Sequence, residues 1–188
     1  MKFLIKVSKF RKNYKNEIVF LDDILVTNRI TFLLGKNGSG KSTLLKAIGG
    51  LINYEGIIKT SGKVVYMSEF TSFPEDLTLS EFIYSLNKVS KTSIGDKDIE
   101  NLLEIFQLIN KKNVVLSSLS KGMKAKVNLV QVLVEKADVY LLDEPINGLD
   151  KDGVKCLINY LKQSDNNFLI STHLIDDFKS LKCEVIHI

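Results

Sequence analysis

The run Gly35-Lys36-Asn37-Gly38-Ser39-Gly40-Lys41-Ser42-Thr43 fits G-x-x-x-x-G-K-[ST] at every fixed position. Glycines at these spacings let a backbone curl until successive N–H groups face inward, where they can bind phosphate oxygens. A helix following such a loop turns its positive end toward the same anion. Lys41 would then reach the β- and γ-phosphates of a nucleotide, and the Ser42 hydroxyl would bind Mg2+. Far downstream, Asp138-Val139-Tyr140-Leu141-Leu142-Asp143-Glu144-Pro145 delivers two adjacent carboxylates at the end of an apolar run. Neighbouring strand residues face opposite ways, so the two acids can take separate tasks. Asp143 would hold Mg2+ through water. Glu144 would polarise the water that attacks the γ-phosphorus.

Those groups need a scaffold, and the flanking residues predict one. Ile30-Thr31-Phe32-Leu33-Leu34 reads as a buried strand entering the loop, and Leu44-Leu45-Lys46-Ala47-Ile48 as a helix leaving it. Further strands are expected over 4–7, 18–21, 56–59, 63–67, 139–142, 168–171 and 185–188. Thr78-Leu79-Ser80-Glu81 is a capping box and opens a helix at about Leu79. Ile99, Leu102, Leu103, Phe106 and Ile109 repeat with a helical period over 98–109. Ser120 is a good N-cap for a helix running to about Glu135, and Asp150 can cap another. Strand and helix alternate at both ends, which predicts a mostly parallel sheet. The stretch from about 70 to 118 reads as almost purely helical, an insertion rather than another βα unit.

At 188 residues the chain predicts one domain with a helical subdomain. A chain of this size buries roughly 70% of its unfolded surface and needs no disulfide or metal to fold. Cys156 and Cys183 match no metal-ligand spacing and read as free buried thiols of a reducing compartment. The net charge of +4 is mild, although Lys2, Lys6, Lys9, Arg11, Lys12 and Lys15 crowd the N-terminus. Such a cluster is ordinarily a solvated face; the alternative is attraction to nucleotide or an anionic membrane. No apolar run approaches the roughly 20 residues needed to span a bilayer. No apolar stretch of signal-peptide length follows the basic start. A cytosolic protein is expected.

Five further segments make the chain resemble the nucleotide-binding subunit of an ATP-binding cassette (ABC) transporter of bacterial export type. Leu119-Ser120-Lys121-Gly122-Met123 resembles the signature motif, most often LSGGQ. Asn147-Gly148-Leu149-Asp150 resembles the D-loop, and Ser171-Thr172-His173 the switch-histidine segment. Val65-Tyr66-Met67-Ser68-Glu69 stands where the Q-loop should be, and Tyr14 or Phe10 where an aromatic stacks on adenine. The resemblance implies an α/β P-loop NTPase fold, with a mostly parallel sheet, a small antiparallel β part and a helical insertion. It implies ATP and Mg2+ as cofactors. Gly35, Asn37, Gly38, Ser39, Gly40, Lys41, Ser42 and Thr43 would hold the phosphates, with Tyr14 on adenine. Ser42 and Asp143, joined by Glu69, would place Mg2+. Glu144 would be the general base, and His173 would contact the γ-phosphate. Two cassettes, identical or different, would close head to tail around ATP, so that Ser120 and Gly122 of one face the loop of the other. A separate transmembrane permease would hold the chain at the inner face of the cell membrane. No nucleic-acid partner is implied.

The chain departs from that pattern in three places, one being the short segment between the early strands and the phosphate loop, which leaves Phe10 as an alternative to Tyr14 for the stacking ring. Glu69 stands where the family has Gln, and a carboxylate is still a hard oxygen ligand for Mg2+. In the signature, Lys121 replaces the first Gly and Met123 replaces Gln. Lys121, Lys124 and Lys126 crowd a helix start, where cations oppose the dipole unless an anion arrives; for Lys124 and Lys126 the alternative is a solvated basic helix end. Two other functions fit the loop. An ATP-switched dimerising regulatory module would hydrolyse weakly, and Glu69 would suit it. A small P-loop kinase would leave the signature and His173 without a role.

Overall fold

The continuous apolar runs become the inner strands of a parallel sheet, where both faces of a strand are covered. The computed structural model describes residues 3–15, 17–69, 71–90 and 92–188. Lys2 of the basic cluster and Phe70, the expected start of the helical stretch, lie outside the described residues. The chain divides into two compact units. One comprises the residues up to Ser68 with Ala137–Glu144 and Asp165–Ile188; the other comprises Glu69–Lys136 and Pro145–Ser164.

The first unit holds two sheets. Strands β1 (Ile5–Asn13), β2 (Ile18–Leu21), β3 (Ile24–Val26) and β5 (Glu55–Thr60) form an antiparallel sheet in which β1 pairs with the other three. Strands β4 (Ile30–Leu34), β6 (Val64–Met67), β7 (Val139–Asp143), β8 (Asn167–Thr172) and β9 (Glu184–His187) form a parallel sheet in the order β6-β7-β8-β4-β9. The first helix, α1 (Lys41–Ile48), lies between the sheets. Its Leu44, Leu45, Ala47 and Ile48 share one buried cluster with Ile5, Val7, Phe10 and Val26 of the antiparallel sheet and Leu33, Leu141 and Leu169 of the parallel one. The other face of the parallel sheet buries aromatic pairs, Phe32 with Phe178 and Tyr140 with Phe168. Fully burying such side chains stabilises by about 1.5–3 kcal/mol each, which fixes the strands that carry the motifs.

Two differences from the sequence expectation occur in this unit. Strand β1 runs to Asn13 rather than stopping at residue 7. A bulge between Ser8 and Arg11, with Lys9 at φ 51°, shifts the buried set from Ile5 and Val7 to Phe10 and hides the period of two. Gly56 on β5 lets the bulged backbone come close, since a Cβ there would strike the Lys9 carbonyl. Strand β3 was not expected at all; it is three residues long, too short to show a period.

The second unit is helical: α2 (Leu79–Val89), α3 (Asp96–Ile105), α4 (Lys121–Leu133) and α5 (Lys151–Gln163). The Thr78–Glu81 capping box is present in full. Helix α3 ends at Ile105 rather than 109, because Gln107 takes a left-handed φ of 59°. Phe106 and Leu108 are nevertheless fully buried, so the apolar pattern reads through the break.

Candidate active site

Strand β4 delivers the glycine-rich loop and α1 leaves it. Gly38 (φ 84°) and Gly40 (φ 98°) take left-handed conformations that disfavour other residues. A Cβ on Gly35 would collide with the Ile188 backbone carbonyl and crowd Ser39 Oγ. Asn37 and Gly38 form the exposed tip. No side chain caps α1, and its first turn carries no acid, so its N–H groups are left to an outside anion. Ser39 Oγ is buried with no hydrogen-bond partner. A donor buried without a partner and an uncapped helix start fit a bound phosphate. Lys41 is buried, and its Nζ donates to the carbonyls of Gly35 (2.8 Å) and Lys36 (3.1 Å).

The two acids stand at the C-terminal end of β7, the edge where open α/β sheets bind ligands. Asp143 is buried. Its Oδ1 accepts from Ser42 Oγ at 2.9 Å and from Ser171 Oγ at 2.6 Å, and its Oδ2 accepts from Tyr66 OH at 2.9 Å. Glu144 follows in a left-handed conformation, φ 45°, a costly backbone for a residue with a side chain. Its N–H is held by both the carbonyl and the hydroxyl of Ser171, at 3.2 and 3.0 Å. Its carboxylate lies 3.0 Å from His173 Nδ1 and 3.8 Å from Lys41 Nζ. The chain therefore brings Lys41, Ser42, Asp143, Glu144 and His173 into one connected set. Among the described residues, no group of three or more His, Cys, Asp or Glu could hold a metal ion. The donor set suits Mg2+, which keeps several waters and takes one or two protein oxygens beside substrate phosphates.

Tyr14 follows β1 and is half exposed; its hydroxyl lies 3.2 Å from Thr43 Oγ1. The Lys12 ammonium sits 5.6 Å from the ring centroid. Phe10 is fully buried and stacked on Tyr54, so it offers no face to a base.

In the helical unit, Ser120 caps α4 by accepting the Met123 N–H at 3.2 Å, and its side chain is exposed. Gly122 lies beside Gly148 and Asp150, where a Cβ would make ordinary contact. Lys124 and Lys126 do not form a solvated basic helix end. Lys124 Nζ donates to the Ser117 carbonyl at 3.1 Å, and Lys126 is buried with Nζ 3.5 Å from Asp150 Oδ1. The Gly153 N–H, aided by Lys126, holds the Asp150 carboxyl below its ordinary value. Glu69 accepts from Asn147 Nδ2 at 2.8 Å, which joins the Q-loop position to the D-loop. Both cysteines are free; burial raises their thiols, with Cys156 buried and Cys183 partly so.

Tyr66 and Ser171 were not singled out by their types. Each could have been found from strand register: Asp143 pairs with Ser171, and Tyr66 with Leu141, two residues before Asp143 on the same face.

The sequence profile of the ABC transporter family matches residues 24–147. This chain belongs to that family. It is 33% identical to the ABC transporter ATP-binding protein YthP of Bacillus subtilis, over 92% of this chain and 78% of that protein. It is 30% identical to the cytochrome c biogenesis ATP-binding export protein CcmA of Vibrio parahaemolyticus, over 74% of this chain and 76% of that one. Among solved structures, the ATP-binding subunit of an ABC transporter superposes with a TM-score of 0.81 at 27% identity, covering 98% of this chain and 86% of that one. The cassette is thus an ATP-binding, ATP-hydrolysing subunit with the P-loop NTPase fold. Such subunits generally dimerise and work with a membrane permease. The likeness does not favour a regulatory module. Among the described residues, no helix is long and apolar enough to cross a membrane.

Proposed function

We propose that this cassette powers a separate membrane permease on the cytoplasmic side of the membrane, in the direction of export. The likeness to CcmA, named as an export protein, supports the direction. The observation that carries the reading is the connected set of Lys41, Glu144 and His173 beside Asp143 and Ser42. Phosphoryl transfer to water asks the protein for positioning and charge neutralisation, and this set offers both.

Loop amides and Lys41 hold the phosphates of ATP, and Tyr14 stacks on adenine. Lys41 leaves its loop carbonyls for the β- and γ-phosphates. Ser42 and Asp143 hold Mg2+, which supplies positive charge to the phosphate oxygens when bound. Glu144 takes the proton of the attacking water, and His173 orients the γ-phosphate. Ser120 and Gly122 of a second cassette, of this chain or another, complete the cage. Closure on ATP and reopening after hydrolysis form the two-state element that drives the permease.

Glu144→Gln tests the reading. General base catalysis is worth roughly 10²–10⁴-fold, so phosphate release should fall by that factor while ATP binding persists. The variant should also accumulate as an ATP-bound dimer in light scattering. Unchanged turnover would remove Glu144 from this role.

A further inference from the structure

The three hydroxyls around Asp143 belong to different segments, and the reading above uses only that of Ser42. Ser171 lies opposite Asp143 in the β7–β8 register. Its single oxygen does two things: it donates to Asp143 Oδ1 at 2.6 Å and accepts the Glu144 N–H at 3.0 Å. It therefore bridges adjacent acids that point different ways, and it sits where Glu144 adopts its strained φ of 45°. Tyr66 approaches from β6, its ring against the core cluster and its hydroxyl 2.9 Å from Asp143 Oδ2. Ser171 is fully buried and Asp143 nearly so. A carboxylate with acceptors satisfied on both oxygens has little freedom to rotate, and such outer contacts orient metal ligands.

We infer that Tyr66 and Ser171 are positioning residues for the ATPase, clamping the Asp143–Glu144 pair so that Asp143 would present a fixed oxygen toward Mg2+ through its water and Glu144 keeps its backbone turn. The inference rests on the assignment of Asp143 to Mg2+. Neither residue touches the reacting atoms. Their hydroxyls act on metal affinity through Asp143, and Ser171 acts on Glu144 through its amide.

The test separates nucleotide binding from metal binding. A fluorescent ATP analogue is titrated in EDTA, then at graded Mg2+, with wild type, Tyr66→Phe, Tyr66→Leu, Ser171→Ala and Asp143→Asn. Loss of an outer contact to a metal ligand typically costs 10–100-fold in metal affinity. Tyr66→Phe and Ser171→Ala should bind nucleotide in EDTA as wild type does, yet need about 10–100-fold more Mg2+ for the half-maximal metal effect. Tyr66→Leu should match Tyr66→Phe, because the hydroxyl and not the ring is at issue. A wild-type Mg2+ requirement in Tyr66→Phe and Ser171→Ala, beside a shifted Asp143→Asn, overturns the clamp alone. Tyr66→Phe behaving as wild type while Tyr66→Leu is defective assigns Tyr66 to packing and also overturns it. An unshifted Asp143→Asn removes the metal assignment itself, and the clamp with it.

Discussion

The strand-rich unit and the helical unit carry the groups proposed to meet phosphate in opposite states. In the first, Lys41, Asp143 and Glu144 are buried and already joined to one another or to neighbouring hydroxyls and carbonyls. In the second, Ser120 is exposed at a helix start, and two of the three nearby lysines are tied within the unit. Buried polar groups are ordinarily paired, as Lys41, Asp143 and Glu144 are, so apart from the unpartnered Ser39 Oγ that set is organised before any ligand arrives. An exposed cap has water as its alternative partner and can exchange it for another surface. Strand ends and helix starts thus carry a buried, preorganised candidate set in one unit and an exposed cap, open to another surface, in the other.

The largest expected break in that contrast is Lys41→Ala. It removes a buried cation from the organised set, and ATP titration by calorimetry should show no tight binding. A normal titration would contradict the loop assignment. Ser120→Ala should behave differently. ATP binding to the isolated chain should be unchanged, while turnover falls roughly 10–100-fold, the worth of one hydrogen bond to a charged group. Weakened nucleotide binding by the isolated chain would show that Ser120 acts within one copy.

Asp150→Ala bears on the stability of the helical unit. It removes the α5 cap and leaves the buried Lys126 ammonium without its carboxylate. Loss of such a cap costs about 0.5–2 kcal/mol, so the Tm should drop by roughly 1–8 °C. The Asp150 carboxyl is held down by the Gly153 N–H, so its contribution is present above the ordinary carboxylate range and lost as pH falls through the lowered value. Thr78→Ala is the smallest effect, a Tm drop of about 2–4 °C in thermal melts. The backbone N–H of Thr78 and then its hydroxyl hold Glu81 below its ordinary value. The same sign applies, and the gap between wild type and Thr78→Ala should shrink in acid. A gap constant with pH would detach Glu81 from the cap.

Much of this was legible because the information was local. The nine-residue loop needs its glycines and lysine at fixed spacings, and β4 and β7 are continuous apolar runs. Ser120, Asp150 and Thr78 cap the helices their types suggest. Local reasoning failed where a distant residue decided the outcome. Lys126 reads as either a solvated cation or one awaiting an outside anion until Asp150 is beside it. Phe10 stands beside the favoured Tyr14 as a second candidate ring until the bulge at Lys9 turns Phe10 into the core.

The order of residues alone determined which groups could bind phosphate and which strands would be buried, since both depend on spacing and side-chain type along a short stretch. That Ser171 bridges Asp143 and Glu144, and that Tyr66 reaches the same carboxylate, follows from the folded sheet and from no local stretch. Those contacts cross 28 and 77 residues of chain. They exist because parallel strands pair in one register, which the burial of the whole sheet selects and no single segment can specify.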